Sequence, residues 1–398
     1  MKKTLSLVLA LFMVITCCAC GAQKPAETAA PTAAATEAAT EAPATEAPAT
    51  EAPAAAAEET ITIIDHEDRE VTLPKHVERI AVCDILPLPS VLTVFFDSAE
   101  KIVGMAPSSM TAAQNSLISE LYPEILNAET SFMQGSEVNT EELAMLEPDV
   151  VFFSARNQQI GDTLRNAGFN AVGISVNKWE YNTIETLNQW ISLLSQIFPD
   201  NDRTEIVRKN SDEIYNLVQS RTADLKDEDR ARVFFLFKYT DSSIMTSGHT
   251  FFGQWWADAI GAINVAEEIT KDNAVPVNLE QVYTWNPDVI LVTNFTPATP
   301  EDLYNNTAGA YDWSGIDAVV NQRVYKMPLG MYRSYTPGVD TPVTLLWLAK
   351  TVYPELFEDI DVTQKAIEYY ETVFGITLTP EQAEGIFKPA VAAGKIDF

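Results

Sequence analysis

Basic side chains are scarce in this 398-residue chain: 26 Lys and Arg stand against 56 Asp and Glu, a formal net charge of −30. Arg156 and Arg333 stand out on that background, because each lies just beyond a β-rich apolar run. A guanidinium is a planar fork of donors that matches multidentate anions. Two forks on opposite halves of a molecule would clamp an anionic chelate. The competing reading pairs each Arg with a surface carboxylate. Around them, Phe132, Met133, Tyr239, Tyr332 and Tyr335 suit a flat or aromatic ligand, and serve equally as packing residues. Asp84 follows the first apolar run, and Asn294 sits beyond a later one. His249, in Ser247-Gly-His249-Thr250, has the chemistry to ligate a haem iron or bond a ligand. A lone loop His usually does neither.

Several chemistries are excluded. His66, His76 and His249 are the three His, with no H-x-x-x-H or C-x-x-C spacing in the folded part, so no multi-His metal site is expected. There is no G-x-S-x-G elbow, no H-E-x-x-H and no P-loop. The acidity opposes a nucleic-acid partner and charge-driven adsorption to anionic lipid. A secreted hydrolase using paired carboxylates survives counting alone, since acidic residues are plentiful. A surface adhesion or scaffold role survives it too.

Residues that sit beyond strand ends need strands. Short apolar runs beginning at Arg79, Asp149, Arg232, Asp288 and Arg323 are apolar on both faces, as in a covered parallel sheet. They alternate with helical stretches, which predicts α/β layers. Thr60–Ile64 and Arg69–Leu73, separated by Asp65-His-Glu-Asp, read as a small hairpin. From Asn182 to about Leu225 no strand run appears. The spacing of Trp190, Leu193, Leu194 and Ile197, then Ile206, Ile214, Leu217 and Val218, predicts two helices, the second long and amphipathic. The predicted organisation is a lobe over 60–180, connecting helices over 181–228 and a lobe over 229–398. Phe251 to Ile260 reads as a helix with Trp255 and Trp256 as core. In doubly wound sheets, ligands bind beyond the carboxyl ends of the strands.

A repeat ties the two halves together. Asn139-Thr-Glu141-Glu-Leu-Ala-Met-Leu-Glu-Pro148-Asp-Val-Val-Phe-Phe is echoed 139 residues later by Asn278-Leu-Glu280-Gln-Val-Tyr-Thr-Trp-Asn-Pro287-Asp-Val-Ile-Leu-Val. Each copy starts with an N-cap Asn and carries Glu142 or Gln281 at the capping-box position. Glu141 and Glu280 fall at the second helical position. Singly they complement the helix dipole. As a pair they offer two outward carboxylates to two copies of a basic membrane partner.

The first 59 residues are an address and a tether. Lys2 and Lys3 precede an apolar run, Leu5 to Ile15, too short to span a bilayer, so 1–20 reads as an export signal. It ends in Cys17-Cys18-Ala19-Cys20-Gly21, which resembles the lipobox of bacterial lipoproteins. Cys20 is assigned as the lipidated residue, with Cys17 and Cys18 as alternatives and a plain secretory signal as the competing reading. Two acyl chains suffice for stable attachment. Residues 21–59 repeat Ala-Thr-Glu-Ala-Pro at Thr40, Thr45 and Thr50 and lack large apolar residues, a composition that stays solvated. Such a coil reaches about 35 Å. Setting aside 1–59 leaves 23 basic against 49 acidic residues, so the acidity belongs to the fold. Cys83 is then the one remaining thiol and reads as a buried packing residue.

The ordered set of motifs resembles the solute-binding proteins that serve ABC importers of ferric siderophores, haem and cobalamin. The resemblance rests on Asp68-Arg-Glu-Val-Thr-Leu-Pro followed by Val77-Glu-Arg-Ile-Ala-Val, on the two Asn-x-Glu…Pro-Asp-Val elements, and on Trp347-Leu-Ala-Lys…Tyr353-Pro-Glu-Leu-Phe with Tyr369-Tyr…Phe374-Gly. It implies two Rossmann-like lobes joined by a long backbone helix, with a ligand cleft between them and no enzymatic activity. It implies that Glu141 and Glu280 dock on a permease dimer. The expected ligand is a small-molecule Fe(III) chelate, a ferric siderophore before haem, cobalamin or an oxyanion, with no cofactor. The expected protein is a lipid-anchored monomer on the outer face of the cytoplasmic membrane.

Overall fold

The computed structural model describes residues 59–389. Cys20 and the tether up to residue 58 lie outside them. Two four-stranded parallel sheets form the heart of the molecule. The first runs in the order Ile102–Met105, Ile80–Val82, Val150–Ser154, Ala171–Ile174. The second runs Ile263–Asn264, Arg232–Leu236, Val289–Val292, Val324–Lys326. Counted along the chain, each lobe has its second strand, then first, third and fourth. The two halves are therefore wound alike, as the repeat predicts.

The central strands are buried along their whole length because both faces are covered. Val150 to Phe153 and Val289 to Val292 are fully inaccessible. Burying each such side chain contributes about 1.5–3 kcal/mol. The repeat also fixes how each lobe starts. The Asp149 carboxylate accepts the Arg79 N–H at 2.8 Å, and the Asp288 carboxylate accepts the Arg232 N–H at 2.7 Å. The Pro-Asp that ends each short helix thus anchors the first strand of its own sheet.

The three short strands Ile102–Met105, Ala171–Ile174 and Ile263–Asn264 add to the five runs read from sequence. An antiparallel sheet of Lys238–Thr240, Ser243–Ser247 and Ala274–Val277 adds three more. Pro276 is tolerated in the last because that strand lies at the sheet's edge.

The expected hairpin forms from Thr60–Ile64 and Glu70–Pro74, its second strand one residue later than read from sequence, with Ile61 facing Leu73. Its turn is pinned to the first lobe. The Asp65 carboxylate accepts the Gly173 N–H at 2.9 Å, and His66 Nδ1 accepts the Ser175 N–H at 3.2 Å. A Cβ at 173 would lie 2.8 Å from Glu67 Cγ, so any other residue there would have to displace the Glu67 side chain.

The connection between lobes is two helices, Thr183–Ile197 and Thr204–Thr222. Asn182 caps the first through the Glu185 N–H, and Asp202 accepts the Thr204 N–H at the entrance to the second. Pro199–Asn201 makes the turn between them. The 19-residue second helix spans about 28 Å. Val207, Ser211, Val218 and Thr222 form its buried stripe, and it packs on Thr341–Val352. The C-terminal helices do not stay with the second lobe. Arg203 bonds both the Phe95 and Val373 carbonyls, and Leu117 N–H donates to Gly330. The last helices therefore lie across the connection and reach the first lobe.

Candidate functional site

The carboxyl ends of both sheets face one cavity of about 430 Å³, within the ~300–1,000 Å³ usual for organic ligands. The first lobe contributes Asp84 to Pro87, Ser154, Arg156, Asn157 and Val176, all at or just past strand ends. The second contributes Phe237, Phe251, Phe252, Asn273, Phe295, Tyr332 and Thr336.

The polar side is built on Asp84. Its carboxylate accepts the Ser154 N–H at 2.7 Å and the Asn157 amide at 2.9 Å. Burial pushes its carboxyl pKa up, against these two bonds. Asn157 in turn caps the helix Gln158–Asn166 through the Ile160 N–H. Arg156 is thereby fixed at the rim. Its Nη1 donates to Tyr181 Oη at 2.8 Å, and its Nη2 donates to the Asp272 carboxylate at 3.2 Å and carbonyl at 3.3 Å. The Tyr181 hydroxyl also bonds the Asp272 carboxylate. Arg156 belongs to the first lobe and Asp272 to the second, so this pair bridges the cleft. Arg156 thus lines the cavity and at the same time pairs with a carboxylate.

The apolar side is aromatic. Phe237 stacks on Phe295 with centroids 4.9 Å apart, and Phe251 and Phe252 pack beside them. Tyr335 is fully buried behind this wall, contacting Phe237, Phe252 and Phe295. Tyr332 closes the wall, held by Asp340. That buried carboxylate accepts the Met331 and Tyr332 N–H groups and the Tyr370 hydroxyl. Burial raises its pKa despite them. The loop lies so tightly on Asp340 that a Cβ on Gly330 would sit 1.9 Å from its oxygen.

Arg333 is fully buried rather than on the surface. Its Nη1 donates to Tyr332 Oη at 2.9 Å, and its guanidinium lies 5.0 Å from the Phe295 centroid and 5.4 Å from that of Tyr332. It backs the two rings rather than standing with the residues that line the cavity.

The remaining candidates sit elsewhere. Tyr239 turns into the second lobe, where its hydroxyl bonds the Ala308 carbonyl and accepts from Trp313. Asn294 is buried and donates to the Met327 and Pro328 carbonyls. Phe132 and Met133 pack with Leu143 and Phe153 in a core cluster of the first lobe. His249 is exposed and lines a neighbouring cavity of about 620 Å³, with Trp179, Tyr181, Trp255 and Asp272. Cys83 is buried, and burial pushes its thiol pKa up, so it is inert. No group of three or more His, Cys, Asp or Glu able to hold a metal occurs among the described residues.

Sequence reasoning passed over Phe237, Phe251, Phe252, Asn273, Tyr181 and Asp272. The strand-end rule alone had the means to find Phe237, which directly follows Arg232–Leu236. Asp272 carries no local signal, because its role depends on the opposite lobe.

Glu141 and Glu280 lie outside the cavity, exposed on the short helices Thr140–Met145 and Leu279–Trp285. Asn139 caps its helix through the Glu141 and Glu142 N–H groups, and Asn278 through that of Gln281. The expected capping box is only half formed: Gln281 donates instead to Glu268, and Glu142 Oε2 has no hydrogen-bond partner. A hydrolytic pair of carboxylates would have to share the cleft, and these two do not.

Comparison with known proteins agrees with this architecture. Residues 99–329 match the periplasmic binding protein family. The molybdate-binding protein MolA of Haemophilus influenzae is 27% identical over 354 residues, which cover 83% of this chain and 94% of MolA. A periplasmic solute binding protein from Veillonella parvula is 28% identical with a TM-score of 0.73, over 84% of this chain and 98% of that one. The structure of MolA bound to molybdate gives 26% identity and a TM-score of 0.67, over 80% and 99%. Helicobacter pylori CeuE in a Ni–His complex, 20% identical with a TM-score of 0.65 over 83% and 99%, shares the fold. The chain belongs to the periplasmic binding protein family and is a non-enzymatic, extracytoplasmic solute-binding protein of an ABC importer.

Proposed function

We propose that the protein captures an anionic iron chelate with aromatic or apolar arms, of the ferric-siderophore class, and hands it to the permease dimer of its importer. The observation that carries this reading is the cavity wall of Phe237, Phe251, Phe252, Phe295 and Tyr332, with Arg156 at its rim. Apolar arms gain from contact with phenyl rings, and a guanidinium fork complements the chelate's negative charge. A compact oxyanion has no apolar surface, and setting it against phenyl rings strips water without replacing its hydrogen bonds.

Isothermal titration with ferric tris-catecholate, haemin, cyanocobalamin and molybdate separates the alternatives. The expected result is tight binding of the ferric chelate. The similarity to MolA favours a second reading, a bare oxyanion held by Arg156, Asn157 and Asn273. Tight molybdate binding with no chelate binding would establish that reading and reject the first.

Docking falls to Glu141 and Glu280, one exposed carboxylate per lobe on equivalent helices. Cys20 carries the lipid that holds the monomer at the outer face of the cytoplasmic membrane. Cys20→Ser should move the protein from the membrane to the soluble fraction, and retention on the membrane would move the anchor to Cys17 or Cys18. Among the described residues no helix is long and apolar enough to cross a membrane.

A further inference from the structure

Two cavities meet at the Arg156–Asp272 bridge. Three pairs of consecutive residues are divided between them: Val176 and Asn177, Phe251 and Thr250, Asn273 and Asp272. In each pair the first named lines the aromatic cavity of about 430 Å³, and the second lines the more polar cavity of about 620 Å³. The partition between them consists of Arg156 on one side and Tyr181 with Asp272 on the other. Tyr181 and its neighbour Glu180 take φ of 59° and 52°. This left-handed backbone is unfavourable for a non-glycine residue. The turn that adopts it carries the hydroxyl that contacts both Arg156 and Asp272.

Arg156 is the charged cation among the residues that line the aromatic cavity, and its fork is already engaged by a carboxylate of the opposite lobe. We propose that Asp272 is a tethered stand-in for the ligand's anion: it holds Arg156 across the cleft, and an entering anion must displace it. This rests on the reading of Arg156 as the anion-facing residue of the site. Asp272 therefore sets selectivity. A neutral ligand gains nothing from breaking the bridge. A weak single anion gains little more than it loses, and an anion that can take both arms of the fork is favoured. The bridge is half exposed, at 37% for Arg156 and 49% for Asp272, so the competition is modest. Pairs of that exposure are worth ~0.2–1 kcal/mol, or roughly 1.4- to 5-fold in affinity.

The test uses two dyes of nearly the same ring system. One is 1-anilinonaphthalene-8-sulfonate, which carries an anion; the other is N-phenyl-1-naphthylamine, which does not. Fluorescence titration of Asp272→Asn should show the sulfonate binding up to about 5-fold tighter than to the parent protein, with the neutral dye unchanged. The gain should vanish at high salt. Tyr181→Phe, which removes the hydroxyl bonded to Asp272, should shift the sulfonate the same way by a smaller factor, and serves if Asp272→Asn does not fold. Unchanged or weaker sulfonate binding in both variants overturns the proposal, as does a gain shared equally by the neutral dye. Arg156→Ala tests the underlying reading separately. If it leaves sulfonate binding of the parent protein unaltered, Arg156 is not the anion's partner, whatever Asp272 does.

Discussion

Arg156 is held at the cavity rim by its neighbours more than by its own side chain, since Asp84 ties down Ser154 and Asn157 on either side of it. Removing the guanidinium should therefore weaken an anionic ligand without disturbing the loop. Arg156→Ala is expected to reduce ferric-chelate affinity about tenfold or more, the scale of one charge-assisted hydrogen bond. Thermal unfolding should be nearly unchanged, and titration calorimetry beside a melting curve checks both. Arg156 was legible because a basic residue past a buried strand is unusual in so acidic a chain. Arg333 looked identical by that criterion, yet it lies fully buried behind Tyr332 and Phe295. Strand-end position does not say whether a long side chain turns toward the cleft or away. The phenyl wall was harder still, because Phe237 and Phe295 are the residue types that fill any core.

At the scale of elements, the hairpin turn carries an acid-sensitive group. His66 accepts the Ser175 N–H, and burial, followed by nearby Lys178, lowers its imidazole pKa to about 4. The folded protein thus keeps His66 neutral where the unfolded chain, with a pKa near 6.5, takes up a proton. Between those values only the unfolded state binds the proton, so stability should fall as pH drops from about 6.5 to 4 and be flat above. The full effect approaches ~3 kcal/mol. His66→Gln keeps an acceptor that does not titrate. Urea midpoints across this range should decline less for the variant than for the parent, and parallel curves would show that His66 titrates normally. The five main strands and both connecting helices were readable because long apolar runs and 3.6-residue periodicity are strong signals. Ile263–Asn264, two residues long, gives no periodicity to read. Ala171–Ile174 includes Gly173, which is there for the hairpin turn pressed upon it.

For the whole molecule, the telling feature is duplication: two sheets with one strand order, each begun by an Arg whose N–H is bound by the Asp that ends the equivalent short helix. The repeat made this legible, while the return of the C-terminal helices toward the first lobe depends on contacts such as Arg203 with Val373 that no spacing encodes. Because Glu141 and Glu280 occupy matching places in the two halves, docking should need both. Charge reversal at Glu141→Lys and Glu280→Lys should stop ligand uptake in cells while ligand affinity in solution stays unchanged. Loss of affinity instead would mean that these residues act on the cleft. The claim on which the account depends most is the nature of the cargo, and competition tests it directly. The protein is dialysed to equilibrium against equal concentrations of ferric tris-catecholate and molybdate, and the retained metal is measured by mass spectrometry. The account predicts stoichiometric iron with molybdenum at background; retained molybdenum with iron at background would contradict it.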